Sequence, residues 1–202
     1  MSAMVSASYF EHNNIVRALT TIEQMLRDRG EAVDETEPMS DEHVRLKLGE
    51  SNNPAFVTFR AGKHDLIFFT RKLKTADIAK AAEEVDDERK ADAILVVPDT
   101  LMTVHARSVA SHFGPNVEVF TLAALSVNIS RSVLVPRHEL LLRSQHASLK
   151  GELGVGALSQ LPLIESTDPM AMYVRARPGD VVKITRLHPS AGTQVAYRYC
   201  RK

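Results

Sequence analysis

The sequence predicts an α/β protein of two domains. In the first two thirds of the chain, amphipathic helical segments alternate with short runs of β-branched and aromatic residues, which is typical of an α/β layer with a partly parallel sheet. Near Pro136 this pattern gives way to a shorter segment that ends in two alternating runs. Of the 25 basic and 25 acidic residues, ten basic and five acidic ones follow from Pro136 onward. We place the boundary within 130–138, giving domains 1–134 and 135–202.

The first elements are a helix, a polar connection and a pair of strands. Apolar residues recur at three- and four-residue spacing between Ile15 and Leu26, which predicts a helix over 13–29 that ends at Gly30. Asn13 or Asn14 is the expected cap. An acidic stretch follows, with a short helix after Ser40. The run PAFVTFRAGKHDLIFFT then predicts two strands on either side of a Gly-Lys turn.

Further helices and strands alternate up to residue 125. Thr75 is expected to cap a second helix, and the continuously apolar run 93–97 predicts a strand buried on both faces. A third helix opens at Thr103 and extends to about His112. A strand over 117–120 and a short helix over 122–125 complete this part.

The C-terminal part predicts a short helix over 144–153 and a β-hairpin. The run RPGDVVKITR is a turn that leads into an alternating strand over 181–186, joined across LHPSAGTQ to a second strand over 195–200. In an ideal strand Lys183 points away from the face that carries Val182, Ile184 and Arg186. Tyr197 and Arg198 alternate in the same way, so we expect at most one of them in the core.

Composition excludes several classes of protein. A single cysteine, Cys200, excludes an internal disulfide, and no CxxC pair suggests zinc. The chain start lacks the pattern of a secretory signal, and no stretch is long and apolar enough for a membrane span. These features favour an intracellular location. The zero net charge neither requires nor excludes nucleic acid.

The residues that could carry catalysis are scattered. The eight histidines form no HExxH or Cys/His cluster, so we predict no catalytic, cofactor-binding or metal-binding residue. A nuclease with residual metal chemistry at Asp65 or Asp99 is the alternative, although the run Glu88-Arg89-Lys90 lies at a helix end rather than on the strand that such a metal site requires. A phosphate loop at RPGDVV is rejected because Gly179 stands alone before a strand. The helix start at Thr103, with His105 and Arg107, is the better anion site.

Several motifs near the C-terminus occur together in a recognisable order. They are Val135-Pro136-Arg137-His138, Leu161-Pro162-Leu163-Ile164, Asp168-Pro169, the run 177–184, the turn 188–192 and Tyr197-Arg198. This combination resembles the fifth common subunit of eukaryotic nuclear RNA polymerases and its single-domain archaeal counterpart. Weaker similarity in IEQMLRDRG and AALSVNISRSVLVPRH extends the resemblance over nearly the whole chain, as in the two-domain eukaryotic form.

The resemblance implies a non-catalytic subunit that needs no cofactor. It implies a nuclease-like α/β jaw domain beside downstream double-stranded DNA, with Thr103, His105 and Arg107 nearest to the DNA. It also implies a small mixed α/β assembly domain that docks on the largest polymerase subunit, near the sixth small subunit. The implied docking residues are Pro136, His138, Pro162, Asp168, Pro169, Tyr173, Arg177, Gly179, Lys183, Arg186, Tyr197 and Arg198.

The chain also departs from the family pattern. Arg175 stands where the family has glycine, His188 replaces the first serine of the turn, and Val104 replaces a proline at the DNA-proximal helix start. These departures indicate a divergent member, with a virus-encoded one among the alternatives. The expected location is the nucleus, or the virion and host cytoplasm for a viral protein. A free adaptor that keeps the fold outside polymerase is a third hypothesis.

Overall fold

The computed structural model describes residues 2–33, 40–50, 55–70, 74–85, 90–98, 106–114, 117–188, 190 and 192–202. These residues fall into two units, Met1–Val127 and Asn128–Lys202, which we call the N-terminal and C-terminal units. Within the described part of the chain, no helix combines the length and the apolarity that a membrane span requires.

The N-terminal unit is built around a four-stranded mixed sheet. Its elements in chain order are α1 (Ser2–Asp28), α2 (Asp41–Glu50), β1 (Phe56–Ala61), β2 (His64–Phe69), α3 (Thr75–Glu84), β3 (Ile94–Val97), α4 (Ala106–Phe113), β4 (Glu118–Thr121) and α5 (Leu122–Leu125). The strand order is β1-β2-β3-β4. The β1–β2 pair is an antiparallel hairpin, whereas β2, β3 and β4 run parallel. The predicted α/β class and partly parallel sheet are therefore confirmed.

The core of this unit fills the space around the two central strands. Every residue of β2 and β3 is buried. Side chains of α3 and α4, including Ile78, Val109 and Phe113, pack with the sheet in one cluster. Helix α1 packs against α2 and α5. Its buried stripe is Ile15, Ala18, Leu19, Ile22, Met25 and Leu26, as the spacing predicts.

Two predicted helix starts in this unit are wrong. Helix α1 continues upstream to Ser2, so neither Asn13 nor Asn14 is its cap; the preceding residues contain no proline or glycine that would end the helix. Thr75 is the first helical residue, and the cap position is held by Lys74, which makes no side-chain cap hydrogen bond. The predicted start of the third helix at Thr103 lies outside the described residues.

The C-terminal unit has a second four-stranded sheet, of order β5-β7-β8-β6. Its α and β elements are β5 (Arg137–Leu140), α6 (His146–Leu153), β6 (Leu163–Glu165), α7 (Pro169–Tyr173), β7 (Val181–His188) and β8 (Gly192–Arg201). Strands β6 and β8 are parallel, and the other neighbours are antiparallel. Short 3₁₀ turns, among them Arg143–Gln145 just before α6, connect these elements.

The sheet of this unit is packed on both faces. On one face Val182, Ile184 and Cys200 contact Ala171 of α7; we call it the α7 face. On the other, the α6 face, Val181 packs with Leu149 of α6. The hairpin of β7 and β8 is longer than predicted, because alternation continues beyond residue 186 and β8 begins already at Gly192. The predicted helix start at Ser144 falls in the 3₁₀ turn.

Candidate subunit-docking surface

The turn that precedes β7 is held by hydrogen bonds within its own unit. The buried Asp180 carboxylate accepts from the backbone N–H of Arg177 at 2.9 Å and from Arg143 Nε at 3.1 Å. The Gly179 N–H donates to the Cys200 carbonyl at 3.0 Å, and the Cys200 N–H donates to the Asp180 carbonyl at 2.8 Å. The turn amides of Arg177 and Gly179 are therefore committed to the fold, and a buried carboxylate lies beside them. This geometry disfavours an anion cradle.

The predicted docking residues of the hairpin lie on two faces. Lys183 and Tyr197 are directly opposite each other on the α6 face. Arg186 and Arg198 lie on the α7 face, as the strand alternation predicts. Tyr197 packs against the apolar cluster near α6, while Arg198 Nη1 donates to the Leu163 carbonyl at 3.0 Å. The structure thus does not gather these four residues into one patch.

Three of the candidates belong to α7 and its cap, and only Tyr173 is buried. Asp168 occupies the cap position, where its carboxylate accepts from Met170 N–H at 2.8 Å and Ala171 N–H at 3.3 Å, and Pro169 follows in the first turn. The pair Asp168-Pro169 is therefore a capped helix start. Tyr173 is buried, and its hydroxyl lies 3.5 Å from Asn128 Nδ2. Asp168 therefore stabilises the start of α7, and the side chain of Tyr173 is part of the interior of the unit.

The three remaining candidates flank the edge strands. His138 Nδ1 lies 2.7 Å from the Pro136 carbonyl; because a carbonyl only accepts, the imidazole carries its proton on Nδ1. Pro162 is exposed, and its carbonyl accepts from Tyr199 N–H at 2.9 Å. The carbonyl groups of Pro136 and Pro162 thus accept hydrogen bonds directly before the short strands β5 and β6.

Exposed apolar side chains, which the sequence pattern did not single out, occur at two places in the same unit. Leu187 at the far end of β7 is 87% exposed, and Val195 on the neighbouring strand is 47% exposed. Both lie on the α6 face, beyond the part that α6 covers. Val133 and Leu134, which precede β5, are almost fully exposed. Exposed apolar groups of this kind in one region commonly mark a protein–protein contact. For Val133 and Leu134 the available signal in the sequence was the run SVLVP, which is apolar within a turn-rich stretch.

The N-terminal unit holds a buried polar cluster around His64. His64 Nε2 lies 2.7 Å from Glu31 Oε2, and Nδ1 lies 2.6 Å from the Asp92 carbonyl. Lys63 Nζ lies 3.1 Å from the same Glu31 oxygen. Burial alone would raise the pKa of the Glu31 carboxyl, but hydrogen bonds from His64 and Lys63, together with their charges, hold that pKa below its ordinary value. The cluster ties the segment after α1 to the start of β2.

Of the two acids of the nuclease hypothesis, the structure describes only Asp65. Asp65 is buried, and its carboxylate accepts from Arg60 Nε at 3.3 Å. Asp99 lies outside the described residues. Among those that are described, no group of three or more His, Cys, Asp or Glu side chains could hold a metal ion.

The predicted DNA-proximal residues are largely beyond what the structure describes. Thr103 and His105 lie outside the described residues. Arg107 belongs to the first turn of α4, but its side chain is not part of the described structure.

Comparison with known proteins matches both units. The family model described as RNA polymerase Rpb5, C-terminal domain, matches residues 127–200. The subunit RPABC1 of DNA-directed RNA polymerases I, II and III from Caenorhabditis briggsae is 31% identical over 198 residues, covering 90% of this chain and 93% of the relative. The corresponding subunit from Dictyostelium discoideum is 29% identical over 201 residues, covering 93% and 98%.

A shorter archaeal relative matches about a third of the chain. The DNA-directed RNA polymerase subunit Rpo5 of Metallosphaera sedula is 47% identical over 73 residues. These residues make up 36% of this chain but 87% of the archaeal protein. The length of the match is close to that of the C-terminal unit.

Proposed function

Because the chain belongs to the Rpb5 family of non-catalytic DNA-directed RNA polymerase subunits, we propose that its C-terminal unit docks on the largest subunit of its polymerase. We propose further that this unit lies near the sixth small subunit, and that the N-terminal unit is the jaw that flanks downstream DNA. The eukaryotic relatives favour the nucleus as the place where this occurs. The nuclease alternative has no support from the relatives or from the position of Asp65.

The archaeal relative is the observation that carries the docking proposal. A 73-residue match accounts for nearly all of a protein that is itself named as a polymerase subunit. The family model also matches the C-terminal part of this chain, over 127–200. A unit of this size therefore suffices for membership in a polymerase. We infer that polymerase binding resides in the C-terminal unit and that the N-terminal unit adds a further role.

The exposed end of the hairpin is the surface that fits this role best. Leu187 and Val195 expose apolar groups there on the α6 face, and Arg186 is exposed on the opposite face. Protein–protein interfaces are enriched in arginine and have apolar side chains in their buried centre. The cap at Asp168 and the buried Tyr173 stabilise α7, which packs on the other face of the sheet.

Charge reversal on the hairpin tests the docking proposal. Lys183→Glu combined with Arg186→Glu should lower recovery of the subunit in purified polymerase by about tenfold or more, because unfavourable charges at an interface cost several kcal/mol. The matched control is Lys74→Glu with Lys80→Glu, two exposed lysines of the N-terminal unit. Both variants should unfold at the temperature of the parent protein. Equal recovery of both in polymerase would refute docking through the hairpin.

Substitution at the predicted jaw tests the DNA proposal. His105→Ala in the assembled polymerase should weaken binding of downstream DNA by about threefold or less, equally for different sequences, because a phosphate contact does not read bases. The loss should shrink as salt concentration rises. Binding measured by fluorescence anisotropy on two unrelated duplexes provides the readout. A loss confined to one sequence would contradict the proposal.

A further inference from the structure

The longest strand of the C-terminal sheet is only partly paired on its outer side. Strand β8 spans ten residues, and β7 pairs with it along most of its length. On the other side, β6 pairs only with Tyr199, Cys200 and Arg201. Within the described structure, residues 192–198 of β8 therefore have no neighbouring strand on that side.

The hydrogen-bond pattern shows which backbone groups point to this bare edge. In an antiparallel pair, residues alternate between bonding the partner strand and pointing away from it. Cys200 N–H bonds the residue before β7, whereas Tyr199 N–H bonds the Pro162 carbonyl on the β6 side. By the same alternation, the backbone N–H and C=O groups of Thr193, Val195 and Tyr197 point outward.

Pro162 ends the hydrogen-bond ladder between β6 and β8. The bond from Tyr199 N–H to the Pro162 carbonyl, 2.9 Å long, is the last one of the β6–β8 ladder in the direction of the hairpin end. The next bond would run from the N–H of residue 162 to the Tyr197 carbonyl, and proline has no N–H. The ladder therefore stops here for a chemical reason, although β8 extends further toward Gly192.

The stretch 192–197 of this edge lacks the sequence features that usually protect sheet edges, while the 3₁₀ turn Leu158–Gln160 contacts β8. Natural proteins protect an exposed edge with charged residues, prolines, bulges or a very short strand. The stretch Gly192–Tyr197 reads GTQVAY, with no charge and no proline, and its register with β7 is unbroken. Threonine, valine and tyrosine favour extended backbone. Next to this edge lie the exposed side chains of Val195 and Leu187.

We propose that an extended segment of the polymerase partner adds to this sheet as a further strand beside residues 193–197 of β8. The segment continues the line of β6 and bonds the outward groups of Thr193, Val195 and Tyr197, as in recognition by strand addition. Apolar residues at alternate positions of the segment pack against Val195, which lies on the strand that the segment joins. A strand added at this edge presents side chains on both faces of the sheet. This accounts for predicted docking residues on the α6 face and on the α7 face. This inference rests on the proposed docking function.

Residue-resolved amide hydrogen exchange tests the added strand. In the free full-length protein, the amides of Thr193, Val195 and Tyr197 should exchange faster than those of Gln194, Ala196 and Arg198, which bond β7. In polymerase purified with the subunit, exchange of the three outward amides should slow by about tenfold or more, because ladder amides open only with the sheet.

The outcomes separate the two proposals. Failure of the subunit to co-purify with polymerase would overturn both. Co-purification with unchanged exchange at all three amides would leave docking intact and overturn the added strand. Protection in the free protein that rises with its own concentration would show that a second copy fills the edge, which would also overturn the proposal.

A pair of substitutions separates backbone from side-chain recognition. Val195→Pro removes an outward N–H without removing a β7–β8 hydrogen bond, whereas Val195→Ala removes most of the side chain and keeps the N–H. Recovery in polymerase should fall at least about tenfold for the proline variant and less for alanine, since edge pairing depends on the backbone. Equal losses would overturn recognition through the backbone. If the proline variant unfolds, the exchange experiment on the parent protein decides.

Discussion

At the scale of single residues, Arg175 stands at the position where the family resemblance predicts glycine. Arg175 has φ +57°, which makes it the one described non-glycine residue in the left-handed region. It follows α7, where the chain reverses toward the turn before β7. The sequence predicted a departure here, and the structure shows that the backbone keeps the conformation that glycine adopts without strain.

Arg175→Gly should therefore stabilise the C-terminal unit. A left-handed backbone costs a side-chain-bearing residue about 1–2 kcal/mol, and the added freedom of glycine in the unfolded chain returns about 0.5–1 kcal/mol of this. We expect a net gain of about 0.5 kcal/mol in the free energy of unfolding, measured in urea. Arg177→Gly, at a residue without positive φ, is the control and should destabilise. A loss of stability in Arg175→Gly would disprove strain at this position.

Glu31 should make the stability of the N-terminal unit depend on pH in the acidic range. Its pKa lies below the ordinary value of 4.5 in the folded protein, so folding favours the ionised carboxylate. The stability that the ionised carboxylate contributes is fully present above the pKa that Glu31 has in the unfolded chain. It is lost as the pH falls through the lower pKa that Glu31 has in the folded protein. The groups facing the carboxylate are His64 and Lys63, with Asp92 adjacent to both.

Glu31→Gln should lower the free energy of unfolding by about 1–2 kcal/mol at pH 7, because the hydrogen bonds to a charged acceptor weaken. The difference from the parent protein should shrink as the pH falls below the ordinary value of 4.5 and vanish once the pH has passed through the lowered pKa of the folded carboxyl. Thermal unfolding from pH 3 to 7 measures both effects. Glu83→Gln, at an exposed acid of α3, should leave the pH profile unchanged. A difference that stays constant with pH would contradict this role for Glu31.

At the scale of elements, strongly patterned segments were predicted from the sequence, and the short edge strands of the C-terminal sheet were not. The stripe of α1, the buried strand β3 and the hairpin of β1 and β2 follow from the side-chain pattern alone. Strands β5 and β6 are four and three residues long, too short to show alternation, and they form because β7 and β8 provide ladders to pair with. The exposed Leu187 and Val195 could not be predicted as surface residues, because alternation identifies a face but not what covers it.

The turn before β7 depends on one glycine. Gly179 has φ +100°, and no atom outside its neighbours lies within 4 Å of an added Cβ, so only backbone strain opposes a side chain there. Gly179→Ala should destabilise the C-terminal unit by about 1–2 kcal/mol. Gly156→Ala, at a glycine of ordinary φ, should have little effect. Urea unfolding of the two variants compares them, and equal stability would exclude a need for glycine at 179.

At the scale of the whole molecule, the two units differ in how completely they cover their sheets. The N-terminal unit buries every residue of its two central strands. The ion pair between Arg29, directly after α1, and Glu118 of β4 has an Nη2–Oε2 distance of 2.7 Å and connects the end of α1 to β4. The C-terminal unit leaves the far half of its hairpin exposed. Binding of a partner to the folded unit raises its apparent stability. We therefore expect the C-terminal unit to gain more from assembly.

The single cysteine of the chain lies in the part of β8 that is paired on both sides. Cys200 is fully buried, and burial, with the nearby charge of Asp180, raises the pKa of its thiol. Alkylating reagents attack the thiolate, so the folded sheet protects this group twice, by occlusion and by keeping the proton on sulfur. The rate at which such a reagent labels the protein therefore measures how often the sheet opens at this one site. The chain carries its own reporter of whether the C-terminal unit is intact, without an added dye or tag.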